Sequence, residues 1–388
     1  MENRLSILLG AGANLDIASE LSESYPRIPD ISTRGLTNTV LSYKHNVIHL
    51  RERIPSFIES CKNYLETRCD TNPNFERIFQ LILELYETQI KTNSVLNHLV
   101  PDEFSETDAD LCSTSLYYIL NSVFKELVSV YKYPVPEWPT AFLKRMAGQF
   151  DFVDLFTTNY DTFFDDFLSD YNDGFNIEGM VKEDWVPSYR TFDESSAMIF
   201  EGNNILNHLH GSILFNRGRP PGEKSQTLMI KSKVPYDMIG LTQPYVTQSG
   251  SIADYSPIIT GLDKPNMLIH EPFRTYYANF IRSLATNKRL LIIGYGFGDH
   301  HINSCIYSFC RREDTRLVYI SPNPPPKSLG EFGMSEAKCH TDKSGACLWF
   351  KGTFKEAYDY GLNTIRDHLA PQPTSKSDRN NDGYQLRS

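Results

Sequence analysis

Between Cys112 and Cys305 this 388-residue chain has no cysteine at all. Its seven cysteines, Cys61, Cys69, Cys112, Cys305, Cys310, Cys339 and Cys347, include no Cys-x-x-Cys pair. An odd, scattered set reads as reduced thiols, not as a disulfide framework or a zinc site. No run of 18 apolar residues is present, which excludes a membrane-crossing helix of the usual kind. The start, Met1 to Leu9, has too short an apolar run and no cleavage region for a signal peptide, so a cytoplasmic protein is expected. Neither a Gly-x-Ser-x-Gly elbow nor a P-loop occurs, so a triad hydrolase or an NTPase has no support. Positive charge is also in short supply. The net charge of -10 argues against a general binder of nucleic acid or of membrane surfaces, and neither is expected as a partner.

What is present is an ordinary globular composition, 40% hydrophobic and 22% charged, on a chain long enough for one large α/β domain with an insertion. Ser6 to Leu9 reads as a first strand, ending in the glycine turn Gly10-Ala11-Gly12-Ala13-Asn14 and a helix start. Small residues there let backbone approach a pyrophosphate, and a helix N-terminus offers free N–H donors; a plain tight turn is the bland alternative. Tyr25-Pro26-Arg27-Ile28-Pro29-Asp30 is a stiff loop close by. Residues 36–130 read as a helical insertion. Its clearest stripe is apolar at 75, 78, 79, 82, 83 and 86, with Asn72-Pro73 as the expected cap. The excess of apolar faces there suggests self-assembly, hence a homo-oligomer.

After the breaker cluster at 133–139, Phe152 to Phe156 reads as a buried strand. It runs into Thr157-Thr158-Asn159-Tyr160-Asp161 and then into the expected first turns of a helix. In an open α/β sheet ligands sit past the carboxyl ends of strands, so this polar loop is the first candidate site. His208 and His210 alternate with apolar residues on a short strand, and Gly211 allows a sharp exit after His210. Residues 199–204 suggest a strand and turn, and 215–222 a mobile loop. Leu290 to Ile293 is a central strand feeding a second glycine turn, Gly294-Tyr295-Gly296, and then Asp299 at a helix start. Asp299 reads as a helix cap or a ribose contact. A metal reading of Asp299, His300, His301 and Cys305 is weaker, because adjacent side chains point different ways. Leu317 to Ile320 is a further strand, Leu348 to Phe350 a last edge strand, and 354–368 a helix. Residues 371–388 read as a disordered tail, leaving 1–370 as the domain.

Taken in order, Gly10-Ala11-Gly12, Ile28-Pro29-Asp30, Thr158-Asn159-Tyr160-Asp161, His210-Gly211 and Gly294-Tyr295-Gly296 resemble the motifs of the sirtuin family. The resemblance is to the bacterial sirtuin-like branch of anti-phage defence, in the stand-alone form that works with a separate HerA-type ATPase. It implies a Rossmann-like parallel sheet with helices on both faces, a large helical insertion and no zinc small domain. It also implies cleavage of NAD as substrate. By the same resemblance, Gly10 to Ala13 and Gly294 to Gly296 line the phosphates, Asn159 holds the nicotinamide ribose, Asp161 binds the carboxamide and His210 is the general base. The chain departs from the deacylases in three places. Ile31-Ser32-Thr33 follows Asp30 in place of Phe-Arg-Ser, Asn14 stands where Ser is usual, and the zinc cysteines are missing.

The chemistry of these residue types fits that expectation. Loss of a cationic nicotinamide passes through an oxocarbenium-like state, and the leaving group needs no proton. An amide orients a ribose hydroxyl or water, a carboxylate accepts from a carboxamide, and a histidine takes a proton near neutral pH. An NAD glycohydrolase is the reading favoured here. A non-catalytic NAD or ADP-ribose sensor, and less so a protein-lysine deacylase, remain as alternatives.

Overall fold

Five strands divide their apolar side chains between two faces with period two, and the molecule is layered accordingly. In Arg4–Leu9 (β1), Leu5, Ile7 and Leu9 enter one core cluster while Leu8 enters the other. In Arg289–Ile293 (β8), Leu291 and Ile293 go one way, Leu290 and Ile292 the other. Strands buried on both faces must be covered on both, which is the signature of a parallel α/β sheet. The computed structural model describes residues 3–25, 29–42, 53–68, 72–92, 104, 107–131, 133–167, 170–176, 189–218, 228–232, 235, 258–260, 268–327, 334–337 and 347–370.

The main sheet has seven strands. Its order is Met334–Ala337 (β10), Cys347–Phe350 (β11), Arg316–Ile320 (β9), β8, β1, Phe152–Thr157 (β2) and Ile205–His208 (β5), with every neighbouring pair parallel. The chain leaves β1 towards β2 on one side and returns to β8 on the other. That reversal around β1 opens a crevice at the carboxyl ends of the strands. The Rossmann-like expectation therefore holds. One detail differs: the strand at 347–350 is interior, because Met334–Ala337 adds a further parallel strand outside it.

The helices Leu15–Ser24 (α1), Thr33–Ser42 (α2), Arg53–Arg68 (α3), Phe75–Thr92 (α4), Ala109–Tyr131 (α5) and Glu137–Ala147 (α6) belong to the first core. Helices Phe273–Thr286 and His300–Cys310 belong to the second. The stripe predicted on α4 is buried throughout, at Phe75, Ile78, Phe79, Ile82, Leu83 and Tyr86, within the chain's own core. The motive for expecting self-assembly is thus met internally. The cap of α4 is Asn74, whose Oδ1 accepts from Arg77 N at 3.0 Å, in place of Asn72. Among the described residues no helix is long and apolar enough to cross a membrane.

A second, antiparallel sheet was not foreseen: Phe175–Asn176, Tyr189–Phe192, Leu228–Ser232 and Phe215–Gly218, in that order. Part of the expected loop 215–222 is therefore a strand; residues 219–222 lie outside the described residues, as do Pro26 to Ile28 and the tail 371–388. Residues 194–197 are a short helix and 201–202 a turn, so the strand begins only at Ile205. Residues 163–166 form turns, not the helix expected after Asp161. The C-terminal helix is interrupted, with a π-helical turn at Ala357–Gly361 before Leu362–Leu369.

Candidate functional site

The two glycine turns meet each other before they meet anything else. Gly10 N donates to Ile293 O at 2.9 Å and Gly12 N to Gly294 O at 2.8 Å. A Cβ on Gly10 would lie 2.5 Å from Tyr295 Cα, and one on Gly294 would lie 2.1 Å from Ala13 N. Gly294 also has φ +62, a conformation that favours glycine. Glycine is required here by backbone-on-backbone packing, a different reason from the pyrophosphate approach read from the sequence. Gly296 differs: a Cβ there meets nothing within 4 Å, and it lines a cleft of about 420 Å³. That cleft runs from Ala11 and Gly12 past Tyr295 and Phe297 to Ser321, Asn323 and Thr353. Phe297, at φ +56, is a bulky residue in a strained backbone region, held by Asn303 Nδ2 on its carbonyl at 2.9 Å.

The polar loop is fastened to the first turn. Thr158 N donates to Leu9 O at 2.9 Å, and Asn159 Nδ2 donates to Gly10 O at 3.1 Å. Asp161 is buried; its Oδ1 accepts from Phe163 N at 3.0 Å and its Oδ2 takes a short hydrogen bond from Asn14 Nδ2. Burial pushes the Asp161 carboxyl above its ordinary value, against those two hydrogen bonds. Asn14 Oδ1 is buried with no hydrogen-bond partner, which marks an acceptor aimed at something else.

His210 follows the end of β5 in a turn closed by Gly211 at φ +90, and its carbonyl accepts from Ile259 N at 2.7 Å. Its Nε2 is 3.9 Å from Asp299 Oδ1, and both side chains are largely buried. Asp299 occupies the N-cap position of the helix His300–Cys310 but makes no side-chain cap hydrogen bond. The cap reading is thus replaced by a carboxylate beside the histidine. His208 and His210 address different partners: His208 Nε2 lies 3.0 Å from Asp165 Oδ1.

Not every expected residue enters this group. Asp30 is exposed and its Oδ1 accepts from Ser32 N at 2.9 Å, closing a turn before α2. No hydrogen bond or ion pair joins it to the other site residues. Tyr295 lines the cleft, but its hydroxyl clamps the turn internally, 3.0 Å from Asn303 Oδ1 and 3.2 Å from Asp299 O. Among the described residues no group of three metal-ligating side chains forms, and His300 and His301 build no such cluster with Asp299.

Sequence reasoning missed three contributors. Glu76 of α4 reaches the loop from behind, with Oε1 2.9 Å from the Tyr160 hydroxyl, which also lies 3.0 Å from Ile259 O. Burial, then Glu76, pushes that phenol well above its ordinary value. Asp16 lines the cleft. A buried ionic group lies behind the site: Lys231 Nζ is 3.1 Å from Asp165 Oδ2 and 3.0 Å from Asp173 Oδ2, with Arg190 3.1 Å from Asp173. Burial alone would raise Asp165, but Lys231 and His208 outweigh it and hold the carboxyl at about 2. The strand stop Ser321-Pro322-Asn323-Pro324 carried a usable signal, since any strand exit on this edge of the sheet faces the ligand side.

Residues 153–338 match the family described as a SIR2-like domain. No curated protein matches the chain. Among solved structures, a substituted Sir2 homologue in complex with ADP ribose aligns at 12% identity, covering 96% of this chain and 95% of that one, with a TM-score of 0.44.

Proposed function

We propose that this protein is an NAD glycohydrolase, cleaving NAD to nicotinamide and ADP-ribose, and that it serves as an NAD-depleting effector in anti-phage defence alongside a HerA-type ATPase. The observation that carries the enzymatic part is convergence. The exits of β1, β2, β5 and β8 bring Gly10, Asn159, His210 and Asp299 to one edge of the sheet, although they are far apart in sequence. The SIR2-like match over residues 153–338 supports NAD as the substrate.

In this reading the nicotinamide–ribose bond breaks with its electron pair going to the ring nitrogen, which neutralises the departing ring. Charge then builds on the anomeric carbon and the ring oxygen. Asn159, anchored through Nδ2 on Gly10 O, presents its amide oxygen to a ribose hydroxyl or to the incoming water. Asp161 and Asn14 form a buried polar pair beside that loop, and the unpartnered Asn14 Oδ1 suits a carboxamide N–H. Water adds to the anomeric carbon and its proton passes to His210, whose imidazolium Asp299 stabilises from 3.9 Å. Base catalysis of this kind contributes a factor of about 10² to 10⁴. The histidine–carboxylate pair favours an enzyme over a pure NAD sensor, which has no need of a base.

The test is release of free nicotinamide from NAD by the purified chain, with and without an acyl-lysine peptide and with a HerA-type ATPase added. Asn159→Ala and His210→Ala are each expected to abolish release while leaving the melting transition in place. Wild-type turnover by His210→Ala removes the assigned base. Absence of nicotinamide under every condition removes the enzyme reading.

A further inference from the structure

The far end of the cleft, beyond the glycine turns, lies between α1, the exit of β9 and the start of the short helix Phe354–Glu356. Among the described residues that line it, Asp16 alone is charged; its polar neighbours there, Ser321, Asn323 and Thr353, are neutral. Asp16 Oδ2 accepts from Lys355 N at 2.7 Å. Two more groups of the same helix start are already engaged. Thr353 Oγ1 accepts from Glu356 N at 3.3 Å, and Glu356 Oε2 accepts from Thr353 N at 2.7 Å. A helix N-terminus ordinarily draws anions through its free N–H donors. Here the carboxylates of Asp16 and Glu356 have taken those places. The wall therefore meets a guest as an acceptor of negative sign, with no arginine or lysine among the described lining residues.

Starting from the reading of this cleft as a dinucleotide site, we propose that its far end takes a ribose with a free 2′-hydroxyl and turns away a 2′-phosphate, with Asp16 as the deciding residue. A carboxylate accepts a hydrogen bond from a hydroxyl. A phosphate dianion brings it only repulsion, in a half-buried place where water screens poorly. NAD is then a substrate and its 2′-phosphorylated form is excluded by charge.

Calorimetric titration of the full chain with ADP-ribose and with 2′-phospho-ADP-ribose reads this preference directly. The wild type should bind the first at least about tenfold more tightly, tenfold being about 1.4 kcal/mol. Asp16→Asn keeps an acceptor for Lys355 N and removes the charge. It should narrow the gap to about threefold, through tighter binding of the phosphorylated ligand. Rising ionic strength should narrow the wild-type gap as well, which supplies a reading that needs no variant. Equal binding of the two ligands by the wild type overturns the proposal, as does a gap that neither Asp16→Asn nor salt reduces. Binding of neither ligand would instead sink the dinucleotide reading, and this inference with it.

Discussion

Asp161 puts a carboxylate where burial opposes its charge, and that sets a conflict between stability and activity at one residue. A carboxyl raised above its unfolded value stabilises the fold at low pH and loses that contribution as pH rises through the raised value. At neutral pH the ionised group is therefore a cost. Asp161→Asn removes the charge and keeps the hydrogen bonds: the new amide oxygen serves Phe163 N, and a rotated Asn14 turns its unpartnered Oδ1 to the new N–H₂. The variant is expected to unfold at higher temperature while releasing little nicotinamide. Scanning calorimetry and the nicotinamide assay together check it; a lower melting temperature would mean the charge is compensated. Asn159, Asp161 and His210 stood out in the sequence because polar groups at strand exits have no business in a core. Asp299 was visible only as a residue at a helix start, since its meeting with His210 is made through space across 89 positions that local pattern does not encode.

At the scale of elements, the central strands were legible because strands buried on both faces leave near-continuous apolar runs, as in Leu290 to Ile293. The antiparallel sheet was not. Its strands are two to five residues long, and Tyr-Arg-Thr-Phe or Phe-Asn-Arg-Gly looks like loop. What anchors that sheet is electrostatic. Lys231 and Arg190 bring its cations to Asp165 and Asp173, and His208 joins the group from β5, two residues before His210. A buried ionic cluster thus links the sheet to the strand exits. Asp165 is held at about 2, below its unfolded value, so its contribution is present above about pH 4 and is lost as pH falls towards about 2. Asp165→Asn is expected to cost about 3 kcal/mol at neutral pH by leaving buried Lys231 with the single carboxylate of Asp173, and the difference from wild type should shrink across that acid window. Denaturant melts at several pH values decide it; a constant difference would place the stabilisation elsewhere.

Over the whole molecule, the helical layer from α2 to α5 is both a cover for the sheet and a contact with the site, through Glu76 and the Tyr160 hydroxyl. Glu76→Ala is expected to lower turnover on the order of fivefold by loosening the 158–161 loop, with little change in melting temperature or KM. Unchanged turnover would make that layer a passive cover. The helical character of the layer was readable from its stripes, but its depth was not, because a stripe shows that a face is buried and not what buries it. The position of β1 has one more effect, on the order in which the protein comes into being. It is made before either of its neighbours, yet it lies inside the sheet between the strands beginning at Phe152 and Arg289. Pairings so distant in sequence close late and slowly. A nascent chain has no second glycine turn against which Gly10 and Gly12 can seat until Ile293 and Gly294 have been made. Synthesis itself therefore delays the assembly of the cleft, and a prematurely terminated product lacks one of its walls.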